Sequence, residues 1–136
     1  MFTEAEIAYL TGQPLCRFAT VGPDGTPHIT PVGVHHDAGT IVIGSVADMT
    51  ASKKFRDARH HPAVALVVDD LASYDPWTPR GIEIRGRAET LDEGGEAVGR
   101  RVGASFPFTA AWIRVHPRRI VSWGINDAEF SARTVA

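Results

Sequence analysis

The hydrophobic positions of this chain fall in short β-prone runs separated by turn residues, the pattern of successive strands. LCRFATV (Leu15 to Val21), HITPVGVHH (His28 to His36) and TIVIGS (Thr40 to Ser45) are three such runs, rich in β-prone residues. AVALVVD (Ala63 to Asp69) is continuously apolar, which predicts a strand buried on both faces. In GIEIRGRAE (Gly81 to Glu89), Ile82 and Ile84 alternate with Glu83 and Arg85. A sixth run, WIRVHPRRIVSWGI (Trp112 to Ile125), is broken at Pro117. Asp24-Gly25 between the first two runs marks a hairpin, and DLASYDPWTPR (residues 70–80) predicts a loop.

Helical signals punctuate these strands. Thr3 and Glu6 form an S/T-x-x-E capping box, Phe2 and Ile7 occupy the flanking staple positions, and Gly12 ends the helix. Asp92 to Ser105 reads as another helix, weakened by Gly94, Gly95, Gly99 and Gly103. The early connections are hairpins, not crossover helices, which disfavours a doubly wound parallel sheet. Six strand segments and two or three short helices predict a small, mainly antiparallel β-barrel with peripheral helices.

The most informative stretch is TASKKFRDARHHP, Thr50 to Pro62. Phe55 and Ala58 mark its buried face, yet Lys53, Lys54 and Arg56 crowd the helix start. Cations are disfavoured there, because a helix N-terminus already carries roughly half a positive charge. A bound anion, most simply a phosphate, accounts for that placement. Ser52 or Thr50 would cap the helix and offer a hydroxyl, the lysines supply point charges, and Arg56 supplies a bidentate fork. The competing reading is a solvated helix with Arg56 or Arg59 paired to Asp57 and nearby glutamates.

Composition narrows the classes. The chain has 136 residues, 43% apolar and 22% charged, with a net charge of −2. That describes one ordinary globular domain, residues 1–136, and argues against nonspecific nucleic-acid binding. The basic cluster is therefore local. Cys16 is the only cysteine, which excludes an intrachain disulfide or a cysteine zinc cage. The start, MFTEAEIAYL, lacks a basic n-region and an apolar run, and no stretch is long enough to span a bilayer. A reducing cytoplasm is the expected home.

Catalytic motifs are sparse. His35-His36 and His60-His61 are adjacent pairs, with His28 and His116 alone, and neighbours on a strand face opposite ways, which disfavours a shared metal. No G-x-S-x-G elbow, G-x-G-x-x-G or Walker A pattern is present. Cys16 sits within a strand pattern where it packs and does not react. Trp77, Trp112 and Trp123 fit core or interface packing better than stacking on a flat ring.

In order, RFATVGPDGTPHITPV (Arg17 to Val32), IVIGS, SKKFRDARHHPAVALVVDD and GIEIRGRAE resemble the split-barrel flavin and deazaflavin oxidoreductases. That superfamily includes pyridoxamine 5′-phosphate oxidase. RRIVSWGI (Arg118 to Ile125) is similar to its PPOX-class branch dependent on coenzyme F420. The resemblance spans roughly Leu15 to Ile125 and implies a six-stranded antiparallel split β-barrel that forms a homodimer with cofactor grooves at the subunit interface. It implies that Ser52, Lys53, Lys54 and Arg56, with Thr50 as hydroxyl donor, grip a cofactor phosphate. Pro31, Val32 and Gly33, and Ile43, Gly44 and Ser45, would line the ring, with Trp77 or Arg80 supplied by the partner subunit. The tail NDAEFSARTVA lacks the Arg-Leu-x-Pro segment of the vitamin B6 oxidases, which turns the expectation toward the deazaflavin branch.

The function so implied is hydride transfer between coenzyme F420 and a small organic molecule. Alternatives in the same fold are an FMN-binding oxidoreductase and a carrier that binds coenzyme F420 without turnover. The cofactor carries the hard chemistry, so no conspicuous catalytic residue is required. His35, His36 and Tyr74 are the titratable candidates for a proton donor.

Overall fold

The structure, a computed structural model, describes residues 1–125 and 130–135. Its helices are α1 (Glu4–Thr11), α2 (Lys53–His60) and α3 (Gly95–Arg101). Its strands are β1 (Leu15–Val21), β2 (Pro27–Gly33), β3 (His35–Asp37), β4 (Thr40–Ile43), β5 (Ala63–Ser73), β6 (Thr78–Leu91), β7 (Trp112–Trp123) and β8 (Phe130–Thr134). They form one antiparallel sheet in the order β2-β1-β5-β6-β7-β4-β3, with β8 added to β7. This is the expected mainly β, curled antiparallel split barrel with short peripheral helices. No helix among the described residues is long and apolar enough to cross a membrane.

Local chemistry explains most element ends. The α1 capping box forms as written, Glu6 N donating to Thr3 Oγ1 (3.1 Å) and Thr3 N to Glu6 Oε1 (2.9 Å). Asp24-Gly25 turns β1 into β2, with Gly25 at φ 83°. Val64, Leu66 and Val68 of β5 join Phe18, Ile82, Ile84, Ile113 and Ile120 in the core, under a lid that includes Phe55 and Met49.

The sheet departs from the expected six strands in four places. The His28 to His36 run divides at buried Val34 into β2 and β3. β8 pairs with β7 where no strand is predicted, because FSART has no apolar run and its side chains alternate only between half-buried and exposed. Pro117 does not break β7: Gly86 faces Pro117 and Arg85 faces Arg119, so Arg118 is absorbed as a bulge. The predicted loop at 70–80 is instead the continuation of β5 and β6, closed by a four-residue turn with a cis Asp75-Pro76 bond. The apolar β5 run also buries one face only, since Ala63 is exposed and Ala65 and Val67 are half-buried.

Candidate functional site

The basic segment is held to the sheet by a buried carboxylate that the pattern of Phe55 and Ala58 did not reveal. Asp57, 3% exposed, accepts a hydrogen bond from Thr20 Oγ1 of β1 at 3.1 Å. It also pairs with Lys53 Nζ at 3.1 Å. Lys53 is thereby neutralised within its own helix, and Asp57 is not the partner of Arg56 or Arg59. Arg59 turns to Thr90 and Asp92 (2.8 Å) and lies over the Phe55 ring. Arg56 donates to the Ala51 carbonyl at 2.7 Å. Ser52 caps α2, accepting from Phe55 N (3.3 Å) and donating to the Met49 carbonyl (2.6 Å). Thr50 donates to Asp48 Oδ1 at 2.7 Å.

Lys54 stands apart from these. It is half-buried and makes no hydrogen bond or ion pair with any described residue, and loss of solvation lowers its pKa from the ordinary lysine value. It walls a cleft of about 250 Å³ with Pro31, Val32 and Gly33 at the end of β2, Gly44, Ser45 and Val46 after β4, and Phe106. Among the described residues no carboxylate lines that cleft, and Lys54 is its one charged residue. A backbone-walled slot with one uncompensated cation suits a flat ring carrying an anionic tail.

Thus Pro31, Val32, Gly33, Gly44, Ser45 and Lys54 come together as expected. Ile43 is fully buried in the core, so only its backbone is near the slot. Ser52, Lys53 and Arg56 sit at the same helix start with the partners given above, and Thr50 lies in the preceding turn. Trp77 and Arg80 lie elsewhere within this chain, beside Asp70 and Tyr74 in a depression at the β5–β6 hairpin. Trp77 is exposed there, and Arg80 grips Asp70 through two hydrogen bonds, of 2.9 and 2.6 Å. Tyr9 donates to the same carboxylate at 2.8 Å, and burial followed by the Asp70 contact pushes the Tyr9 pKa up.

Phe106 and Phe108 were not apparent as site residues in the sequence. They precede β7, and their rings pack 5.4 Å apart against the strand ends. A side-chain carbon at Gly44 would lie 2.2 Å from the Phe108 ring, and one at Gly33 would lie 3.3 Å from Phe106. The readable signal was two aromatics in F-P-F beyond a glycine-rich helix. Across Gly33 and Phe106 lies a second cleft of about 280 Å³, which His35 and His36 help to line. His35 meets both phenylalanine rings edge-on, and burial lowers the pKa of each histidine. His36 Nε2 faces Gly39 N at 3.2 Å and accepts its hydrogen, which leaves the imidazole proton on Nδ1. Tyr74 is exposed at the hairpin tip and lines neither cleft. Cys16 is fully buried, and desolvation pushes its thiol to about 12, as suits a packing residue.

Comparison with known proteins gives this geometry a family. Residues 2–129 match the model of the family described as pyridoxamine 5′-phosphate oxidase. The chain belongs to that family. It is 45% identical over 128 residues to a 5a,11a-dehydrotetracycline/5a,11a-dehydrooxytetracycline reductase of Streptomyces rimosus, covering 92% of this chain and 84% of that protein. A conserved hypothetical protein from Mycobacterium tuberculosis superposes with a TM-score of 0.71 at 27% identity, covering 100% of this chain and 93% of that one. A structure described as an F420 reductase superposes at 0.63 with 25% identity, over 82% of this chain and 93% of that one. Together these support an oxidoreductase of this family with a small-molecule substrate and a flavin-type cofactor.

Proposed function

We propose that this protein is a reductase that uses coenzyme F420, with the cofactor phosphate at Lys54 and the ring between the ends of β2 and β4. The observation that carries the reading is Lys54, half-buried, without a hydrogen-bond or ion-pair partner among the described residues, at a cleft that no described carboxylate lines. The similarity to an F420 reductase favours the deazaflavin over FMN, although both carry a ribityl phosphate. When bound, the cofactor supplies a hydride. The protein holds the ring against backbone and the Phe106 face, excludes water with Phe106 and Phe108, and counters the anionic tail with Lys54.

The Streptomyces rimosus relative is named for a substrate with a double bond at a ring fusion. By analogy, the substrate here is an organic molecule with a carbon–carbon double bond conjugated to a carbonyl. Its reduction places hydride on one carbon and a proton on the other, and the neutral His36 imidazole, with its proton at Nδ1, lines the adjoining cleft that shares Gly33 and Phe106 with the slot. We also propose a cytoplasmic homodimer in which Trp77 or Arg80 of a second copy completes the cleft. The test is a side-by-side titration with coenzyme F420 and FMN, read by cofactor fluorescence and repeated at raised salt. Salt-sensitive binding of coenzyme F420 supports the reading. Binding of FMN alone overturns the cofactor assignment, and tight binding without turnover of enones or quinones overturns the reductase in favour of a carrier.

A further inference from the structure

We infer that Phe106 partitions the site, and that the cleft adjoining the slot there is the subsite for the non-reacting rings of an oxygen-rich, multi-ring substrate with no net charge. This rests on the cofactor reading above. The two clefts share Gly33 and Phe106, so they adjoin at that aromatic ring. Sites for small molecules usually enclose about 300–1,000 Å³. Neither cleft reaches that range alone, at about 250 and 280 Å³, but joined past Phe106 they fall within it.

The two halves differ in chemistry. Lys54 makes the first a place for an anion. The second presents Thr11, Gln13, His35, His36 and Ser105 and, among the described residues, neither a carboxylate nor a lysine or arginine. Burial lowers the pKa of both histidines, so this wall offers neutral donors and acceptors. Such a set hydrogen-bonds hydroxyl, ketone and amide groups and selects against a net charge. Phe106 supplies an apolar face for a flat ring. Phe108 and His35 hold it in place, with centroids at 5.4 and 6.2 Å, and its ring lies over the open side of Gly33. Contacts to rings remote from the double bond would orient it toward the cofactor slot.

The test fills the second cleft from its exposed rim. Thr11→Trp and Ser105→Trp each add bulk there at a solvent-exposed position outside the lining of the Lys54 slot. The probes are tetracycline, with four fused rings, and 2-cyclohexen-1-one, with one. Tetracycline binding, read from its own fluorescence, should weaken at least about 10-fold in both variants, while KM for cyclohexenone moves less than about threefold. Wild-type protein that does not bind tetracycline, or variants that bind it as tightly as wild type, would overturn the inference. Coenzyme F420 affinity measured on the same samples separates the two readings. If the coenzyme does not bind wild type, the cofactor assignment fails, while the tetracycline titration still judges the subsite.

Discussion

Asp57 is the hinge between fold and site, because it fixes the helix that presents Lys54. Replacing it with alanine removes the acceptor of a buried hydrogen bond from Thr20 and the counter-charge of Lys53. A hydrogen bond to a charged group contributes about 1.5–3 kcal/mol. The Lys53 side chain is 48% exposed, so losing its pair adds at most about 1 kcal/mol after screening. Asp57→Ala should therefore cost about 2–4 kcal/mol, a large share of the ~5–15 kcal/mol typical of a domain. Asp57→Asn, which keeps an acceptor for Thr20, should cost about half as much. Urea unfolding measures this as a lower midpoint at unchanged m-value. Thr20→Val combined with Asp57→Ala should be less damaging than the sum of the two by more than about 0.5 kcal/mol. Strict additivity, or a loss below about 1 kcal/mol in Asp57→Ala, would refute this account of how α2 is anchored.

Two further outcomes concern the frame around the site. Burial alone would raise the pKa of Glu6, but hydrogen bonds from Arg133, Thr3 and Ser122 outweigh it and bring the group from its ordinary 4.5 to about 2. Its folded-state value is depressed, so its contribution is full above about pH 4.5 and is lost as pH falls toward 2, amounting to about 2–3 kcal/mol. Unfolding free energies measured from pH 5 to 2 should fall less steeply in Glu6→Gln than in wild type, and equal slopes would contradict the assignment. Gly44→Ala should lower stability by about 1–3 kcal/mol by forcing the Phe108 ring aside, and should weaken cofactor binding with it. A variant with wild-type Tm and affinity would show that the close packing is dispensable.

Much of the frame was legible because its signals are local. The Thr3–Glu6 box, the Asp24-Gly25 turn and the Ile82/Ile84 alternation each act within a few residues, and each formed. Failures came where partners are distant in sequence. Asp57 looks like one more charge in KKFRDARHH, and its burial is explained by the hydroxyl of Thr20, far earlier in the chain, together with Lys53 one turn before it. Arg118 became a bulge because β6 continues opposite it, which no reading of β7 alone reveals. For the same reason the three cations at the start of α2 cannot be ranked from sequence. Lys53, Lys54 and Arg56 look alike in sequence, yet neighbouring groups engage the first and third and leave Lys54 facing the slot. Phe106 and Phe108 had no periodic pattern to announce them, because they work from a connection.

The central claim is that Lys54 is the anion contact of a cofactor slot, and one binding titration tests it. Coenzyme F420 affinity should fall about 10–100-fold in Lys54→Ala, the loss of one charge-assisted contact of about 1.5–3 kcal/mol. Lys54→Arg should retain most of the binding, and the difference between wild type and Lys54→Ala should shrink at raised salt. Affinity in Lys54→Ala equal to that of wild type would contradict the account.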